Sequence, residues 1–263
     1  MLLTWRFIAL SVKSALEHRA DFFFLVAVGV IWQVTVVAFA AVLITRFPGM
    51  GGWAPGAVLL ITAVRSAGHT LAGAFFMGAR QLAELTMEGR IDSFLLRPMS
   101  VYRQVMLSYF HVPMLGDLVV AGAMFVVAKR YLTLDWTPWR IAYLVAAVLG
   151  AMLLEAAVQT FLGSFALRHP TARQWQEWTE ELMATFGNYP LSILPDLARA
   201  VFVYLLPIAF CAYLPVAVLT GNTAGLPVPV WVAAASPAIG ALLYLAAVGW
   251  WAVRLRGYES AGG

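Results

Sequence analysis

The chain has 263 residues, of which 62% are hydrophobic and only 11% charged, with a formal net charge of +4. A soluble domain carries about 25% charged residues, and a soluble chain of this length has no core large enough to hide so much apolar surface, so lipid is the solvent. The basic balance therefore points to the cytoplasmic face of a membrane and not to nucleic acid.

The first stretch, residues 2–20, places Trp5, Ile8, Val12, Ala15 and Leu16 at helical spacing, with Arg6, Lys13 and Glu17 on another face. This pattern predicts an interfacial helix over 1–21 and fits a signal peptide poorly, because charges recur throughout. Six apolar runs follow, each near the roughly 20 residues that cross a bilayer. They cover 22–45, 55–77, 104–128, 141–165, 199–220 and 229–253. Pro207 and Pro215 predict a kinked or broken fifth span. Trp53, Tyr131, Trp136, Trp139 and Trp231 sit at the predicted outer ends as interfacial anchors.

Orientation follows from Lys and Arg. With the N-terminus inside, Arg6, Lys13, Arg19, Arg80, Arg90, Arg97, Arg103, Arg168, Arg173, Arg254 and Arg256 are inside, while Arg46, Lys129, Arg130 and Arg140 are outside. The bias predicts two cytoplasmic termini, with Lys129 and Arg130 snorkelling at span ends. Segment 166–198 has Trp175, Trp178, Leu182 and Phe186 on one side and Glu177, Glu180 and Glu181 on the other. It reads as a cytoplasmic amphipathic helix lying along the membrane, then a Tyr189-Pro190 turn. No internal repeat suggests an inverted-repeat carrier.

Enzyme signatures are absent. There is no GxxxxGK[ST] phosphate loop, HExxH, GxSxG or Cys/His metal spacing. His18, His69, His111 and His169 are scattered, and the single cysteine, Cys211, lies in an apolar run. The chain has no route to ATP hydrolysis of its own through a phosphate loop.

The longest charge-rich break between apolar runs is 78–100, GARQLAELTMEGRIDSFLLRPMS. Leu82 and Leu85 share a helical face, Gly89 interrupts it, Ile91 to Leu96 form a second short turn, and Arg97-Pro98 stops it. At over 20 residues it exceeds the 2–8 typical of helix connections in bundles. This stretch resembles the coupling helix of permease subunits in type-2 ABC exporters. The pattern is carried by Glu84 or Glu88, Gly89, Leu95-Leu96, Pro98 and Ser100, with Arg90 and Arg97 among them. GRIDSFLLRPMS is similar to a poorly characterised ABC-2 subset. Tyr189-Pro190, Pro207, Tyr213 and Pro215 match the same subset around the fifth span.

The resemblance implies an all-α membrane protein, one permease domain over 1–263. It would have six spans, an N-terminal interfacial helix and a cytoplasmic coupling helix between spans 2 and 3. It implies a dimer with an identical or paralogous permease and two separate ABC ATP-binding subunits. ATP and Mg²⁺ would sit on those partners, and no cofactor on this chain. It implies a multi-pass protein of a bacterial plasma membrane, driving export. The other readings of the residues are a secondary carrier, or an intramembrane enzyme or scaffold with no ATPase partner.

Three charges fall inside predicted spans: Arg65, Asp117 and Glu155. Counted from the outer span ends, they lie about 15, 16 and 21 Å deep. Depth favours Arg65 with Asp117, joined by Glu155, and His69 sits one turn from Arg65 on the same face. An ion pair holding the bundle together is one reading, and lining of the substrate path is the other.

Overall fold

The computed structural model describes residues 19–46, 50–169 and 172–258, and among them there are helices and no strand. The expected interfacial helix of 1–21 lies almost wholly outside the described residues. Helix α1 runs Arg19–Arg46. Helix α2 runs Pro55–Met87, the short α3 Arg90–Leu95 and α4 Val101–Ser108. A 3-10 turn over Val112–Gly116 leads into α5, Asp117–Tyr131. Then come α6 at Pro138–Phe165 and α7 at Ala172–Phe186. The chain closes with α8 at Asp196–Ala200, α9 at Tyr213–Thr220, α10 at Val230–Ala234 and α11 at Ser236–Leu255.

Proline opens α2, α6 and α11 in the first turn, where its missing N–H leaves no bond unmade. Four stretches are long and apolar enough to cross a membrane among the described residues: Pro55–Met87, Val112–Tyr131, Pro138–Phe165 and Ser236–Leu255. They coincide with the expected second, third, fourth and sixth spans, with shifted ends. The second runs ten residues further than expected and absorbs the first half of 78–100. The third begins late, because the chain breaks between α4 and α5.

Helix α2 is the centre of the bundle, packed by α5, α6, α4 and α7. Its buried face includes Leu60, Ile61, Val64, Leu82 and Leu85. The helix kinks at Phe76 (φ −124°, ψ 19°). The kink frees the Ala74 carbonyl, which accepts a hydrogen bond from the His111 backbone N–H at 2.9 Å. Helices α6 and α11 touch through backbone: a Cβ on Gly240 would collide with the Gly150 carbonyl. Small residues at such a crossing let two helices approach closely in lipid. The far side of α11 presents Leu242, Leu245 and Val253 outward.

Two expected elements differ. The fifth predicted span, 199–220, is not one helix. After α8 the chain makes a π turn over Val201–Leu205, breaks at Leu206 and Pro207, and makes a 3-10 turn over Ile208–Phe210 before α9. The Leu206 N–H reaches back to the Val201 carbonyl at 2.9 Å, which widens the last turn before proline ends it. The pieces fold onto the bundle's buried core with Cys211 at their centre, and Tyr213 packs its ring 5.3 Å from Trp53. Proline was expected to break this span, and the break leaves no piece long enough to cross.

Segment 166–198 does not lie flat across one end of the bundle. The Gln176 side chain touches the Ala79 carbonyl, the Asn188 carbonyl accepts from the Thr62 hydroxyl, and the Ser192 hydroxyl donates to the Gly51 carbonyl. From Ala79 to Thr62 along α2 is about 25 Å. Helix α7 and its extension therefore stand beside α2 through most of its length. The cause is local. Ala172, Gln176 and Met183 form a small buried face on α7, and Gln176 donates to two backbone carbonyls across the contact.

Candidate functional site

The polar residues of the bundle converge on Glu155, midway along α6. Its side chain and that of Arg65 are each 3% exposed, and Arg65 Nη1 lies 3.0 Å from Glu155 Oε2. His69 Nδ1 lies 2.6 Å from Glu155 Oε1, and Arg80 Nη2 lies 3.1 Å from the same oxygen. The other nitrogen of Arg80 pairs with Glu180 of α7 at 2.7 Å. Glu155 is thus held by three groups of α2, and Arg80 passes the chain of charge on to α7. Glu155 Oε1 thus faces both Arg80 and His69, and Oε2 faces Arg65. A buried ion is tolerated when its lone pairs are filled in this way.

The expected pairing of Arg65 with Asp117 is not formed. Asp117 opens α5 and lies against α1, where a Cβ on Gly29 would strike its carboxylate. It makes no ion pair among the described residues. The reason is the face Asp117 takes: its carboxylate packs against α1, while Glu155 of α6 fills the place beside Arg65. Helix α5 also runs to Tyr131, beyond the expected outer end, so Asp117 sits about 4–5 Å deeper than counted.

Close packing fixes the Arg65 end. Gly187, just after α7, leaves room for the guanidinium; a Cβ there would lie 2.8 Å from Arg65 Nε. At the other end, Gln176 Nε2 donates to the Ala79 and Gln159 carbonyls, both at 2.9 Å, and joins α2, α6 and α7. Arg80, Glu180, Gln159 and Gln176 were not assigned to this cluster from sequence. Their signal was present: Glu155 with Gln159, and Gln176 with Glu180, sit four residues apart and share a helix face.

The 78–100 residues lie at the far end of α2. Its first part, including Glu84, is the continuous end of α2 and not a separate short helix. Gly89 takes a left-handed conformation (φ 66°) between Glu88 and α3, where a side chain would be strained. Ile91 and Phe94 of α3 pack on Leu82, Leu85, Val101 and Val105. The Gln104 side chain donates to the Phe94 carbonyl at 2.9 Å and the Met99 carbonyl at 2.6 Å, closing the loop. Glu88 and Arg90 pair at 3.3 Å, and the Arg97 guanidinium lies 5.6 Å from the Phe94 ring centre. Leu95 and Leu96 point away from the bundle, Leu96 at 88% exposure. Pro98 follows this tip. Burial, then the Asp92 carboxylate, push the nearby Tyr258 phenol above its ordinary value.

Tyr189, Pro190, Pro207, Tyr213 and Pro215 gather at the opposite end. Pro190 opens the 3-10 turn over Leu191–Ile193, Tyr189 packs on the core, and Tyr213 and Pro215 are buried in α9. The structure thus separates three groups along α2: a tip with exposed leucines, a charged centre and an aromatic-proline end. No three His, Cys, Asp or Glu side chains meet as a metal site among the described residues.

No curated protein and no solved structure gives a significant match to the chain. The family model described as ABC-2 family transporter protein matches residues 30–262, a span that holds the charged centre, the leucine tip and all four long apolar helices. The chain therefore belongs to the ABC-2 family transporter proteins and is a membrane transport component.

Proposed function

We propose that this chain is the permease subunit of an ATP-driven exporter, forming the cargo pathway with a second permease, identical or paralogous. Two separate ABC ATP-binding subunits supply ATP and Mg²⁺ chemistry and dock on the 78–100 stretch. The observation that carries the reading is the leucine tip. Leu95 and Leu96 are exposed on a short helix whose other face is anchored on the end of α2. An exposed apolar tip on a braced element suits a hydrophobic groove in a partner. Arg80, on the same stretch, bonds to Glu155 and Glu180. Movement of the tip therefore pulls directly on the charged centre and on α7.

In this reading α1 and the segment 172–193 cross the membrane beside the four long apolar helices, making six crossings. The 199–220 pieces pack at the outer side, and both termini lie in the cytoplasm of a plasma membrane. The test is to co-express the tagged chain with phosphate-loop ATP-binding subunits of its own genome. The complex should co-purify and hydrolyse ATP, and the chain alone should not. Hydrolysis by the purified chain alone at transporter rates would overturn the reading.

A further inference from the structure

We propose that the pocket where α2, α6 and α7 meet, toward the leucine-tip end of α2, binds one small monovalent cation of the alkali class, held by oxygen atoms alone. The site stands with or without an ATPase partner. The pocket has a volume of about 140 Å³. That is below the ~300–1,000 Å³ of small-molecule sites, and at roughly 30 Å³ per water it suits an ion with a few waters. Each helix supplies one oxygen-bearing side chain to it: Glu84 from α2, Gln159 from α6 and Gln176 from α7. Arg173 and Glu177 also line it and have side chains more than half exposed, so the pocket opens to solvent there.

Two buried oxygens point to a ligand. Gln159 is 2% exposed and Gln176 4%. Gln176 Nε2 donates to the Ala79 and Gln159 carbonyls, and Gln159 Nε2 reaches the Gln176 carbonyl at 3.5 Å. The two amide nitrogens are thus turned to backbone, and the two oxygens are left to the pocket. Neither Oε1 receives a hydrogen bond among the described residues. A buried acceptor without a partner is costly, so this pair calls for a positive or donating occupant.

Charge decides between an ion and water. Three carboxylates, Glu84, Glu177 and Glu180, share the pocket with two arginines, Arg80 and Arg173. Arg80 is engaged by Glu155 and Glu180, and Arg173 by Glu177. Glu84 forms no ion pair among the described residues, and Arg173 attracts it only from further away. One uncompensated negative charge therefore lies beside two unfilled amide oxygens, and one positive charge satisfies all three groups. Carboxylate and amide oxygens select a hard cation. No three acidic side chains close in as a metal cage among the described residues, and the one spare charge balances a monovalent ion. An ion held here ties α6 and α7 to the end of α2.

The test uses the full chain in phosphatidylcholine nanodiscs without any ATPase. The probes are radioactive sodium and radioactive rubidium, which stands in for potassium, read by scintillation proximity against empty discs. At least one should bind saturably and be displaced by the same unlabelled ion, but not by N-methyl-D-glucamine at equal ionic strength. E84Q removes the spare charge from a partly exposed side chain and should weaken binding about tenfold or more. Arg173→Gln removes a competing positive charge and should tighten it several-fold. Circular-dichroism melts in N-methyl-D-glucamine should match for all three proteins, so that a changed affinity is not a changed fold. Binding of neither ion above empty discs would mean that water alone fills the pocket, and would overturn the proposal. So would an unaltered E84Q affinity, an Arg173→Gln affinity no tighter than that of the unaltered chain, or displacement by magnesium at lower concentrations than by the alkali ions.

Discussion

Arg65 and Glu155 meet at 3.0 Å in the middle of the bundle, 90 residues apart in sequence and both shielded from solvent. The pair is unequal. Glu155 is also held by His69 and Arg80, whereas Arg65 has Glu155 alone as its ion-pair partner among the described residues. Removing Glu155 therefore strands Arg65, while Arg80 keeps Glu180; removing Arg65 leaves Glu155 with His69 and Arg80. Glu155→Ala should cost about 3–5 kcal/mol of stability, the range for an orphaned buried charge. Arg65→Ala should cost less, and Arg65→Ala should be additive with Asp117→Ala, because those two residues do not touch. Thermal melts of the purified variants would check the order. An Arg65 variant less stable than the Glu155 variant would contradict this assignment.

Gln176 is a second joint, and its two hydrogen bonds make a narrower claim. Gln176→Leu keeps the side chain's bulk and leaves the Ala79 and Gln159 carbonyls without that donor. The loss should be about 1–3 kcal/mol. Because α7 is held to α2 and α6 at this point, the same variant should raise the backbone exchange of α7 more than that of α11. Hydrogen exchange read by mass spectrometry separates the two helices.

Much of this was legible in the sequence, and the failures share one cause. The apolar runs 55–77 and 141–165 announced α2 and α6, and Pro207 announced a break. Arg65 and Glu155 stood out because charge is costly in lipid. Their partners did not, since pairing depends on which helix faces meet as well as on depth. Asp117 turns to Gly29 of α1, and Glu155 takes Arg65, His69 and Arg80. The place of α7 beside α2 was not legible for a related reason. Arg80 pairs with Glu180, and Gln176 donates to the Ala79 and Gln159 carbonyls. These contacts join partners distant in sequence, and local periodicity carries no trace of them.

Leu96 separates coupling from folding. At 88% exposure its side chain contributes little to the bundle, so Leu96→Asp should change stability within about 0.5 kcal/mol. If the tip docks in an ATPase groove, the same change should remove most co-purification with the ATPase and most ATP hydrolysis by the complex. Ile91→Asp should instead unfold this end, since Ile91 is fully buried against Leu82 and Leu85. A pull-down with matched melts distinguishes the two. An Asp at position 96 that leaves ATPase capture intact would move the docking surface elsewhere.

The position of α7 predicts which residues face opposite sides of the membrane. Ser93 lies at the leucine tip, at the end of α2 where Gln176 meets Ala79. Leu197 follows the Ser192–Gly51 contact at the other end and is 80% exposed. If 172–193 crosses beside α2, cysteines at these two sites lie on opposite faces. If instead the whole of 166–198 lay along the inner surface, both would lie inside. Cys211 is buried and would be replaced first by alanine, leaving no other thiol. An impermeant maleimide should then label Leu197→Cys in intact cells and Ser93→Cys only after the cells are opened. Labelling of both from inside alone would return the segment to the membrane surface and remove the sixth crossing. Labelling of Ser93→Cys from outside would invert the bundle and place the leucine tip beyond the reach of any cytoplasmic ATPase.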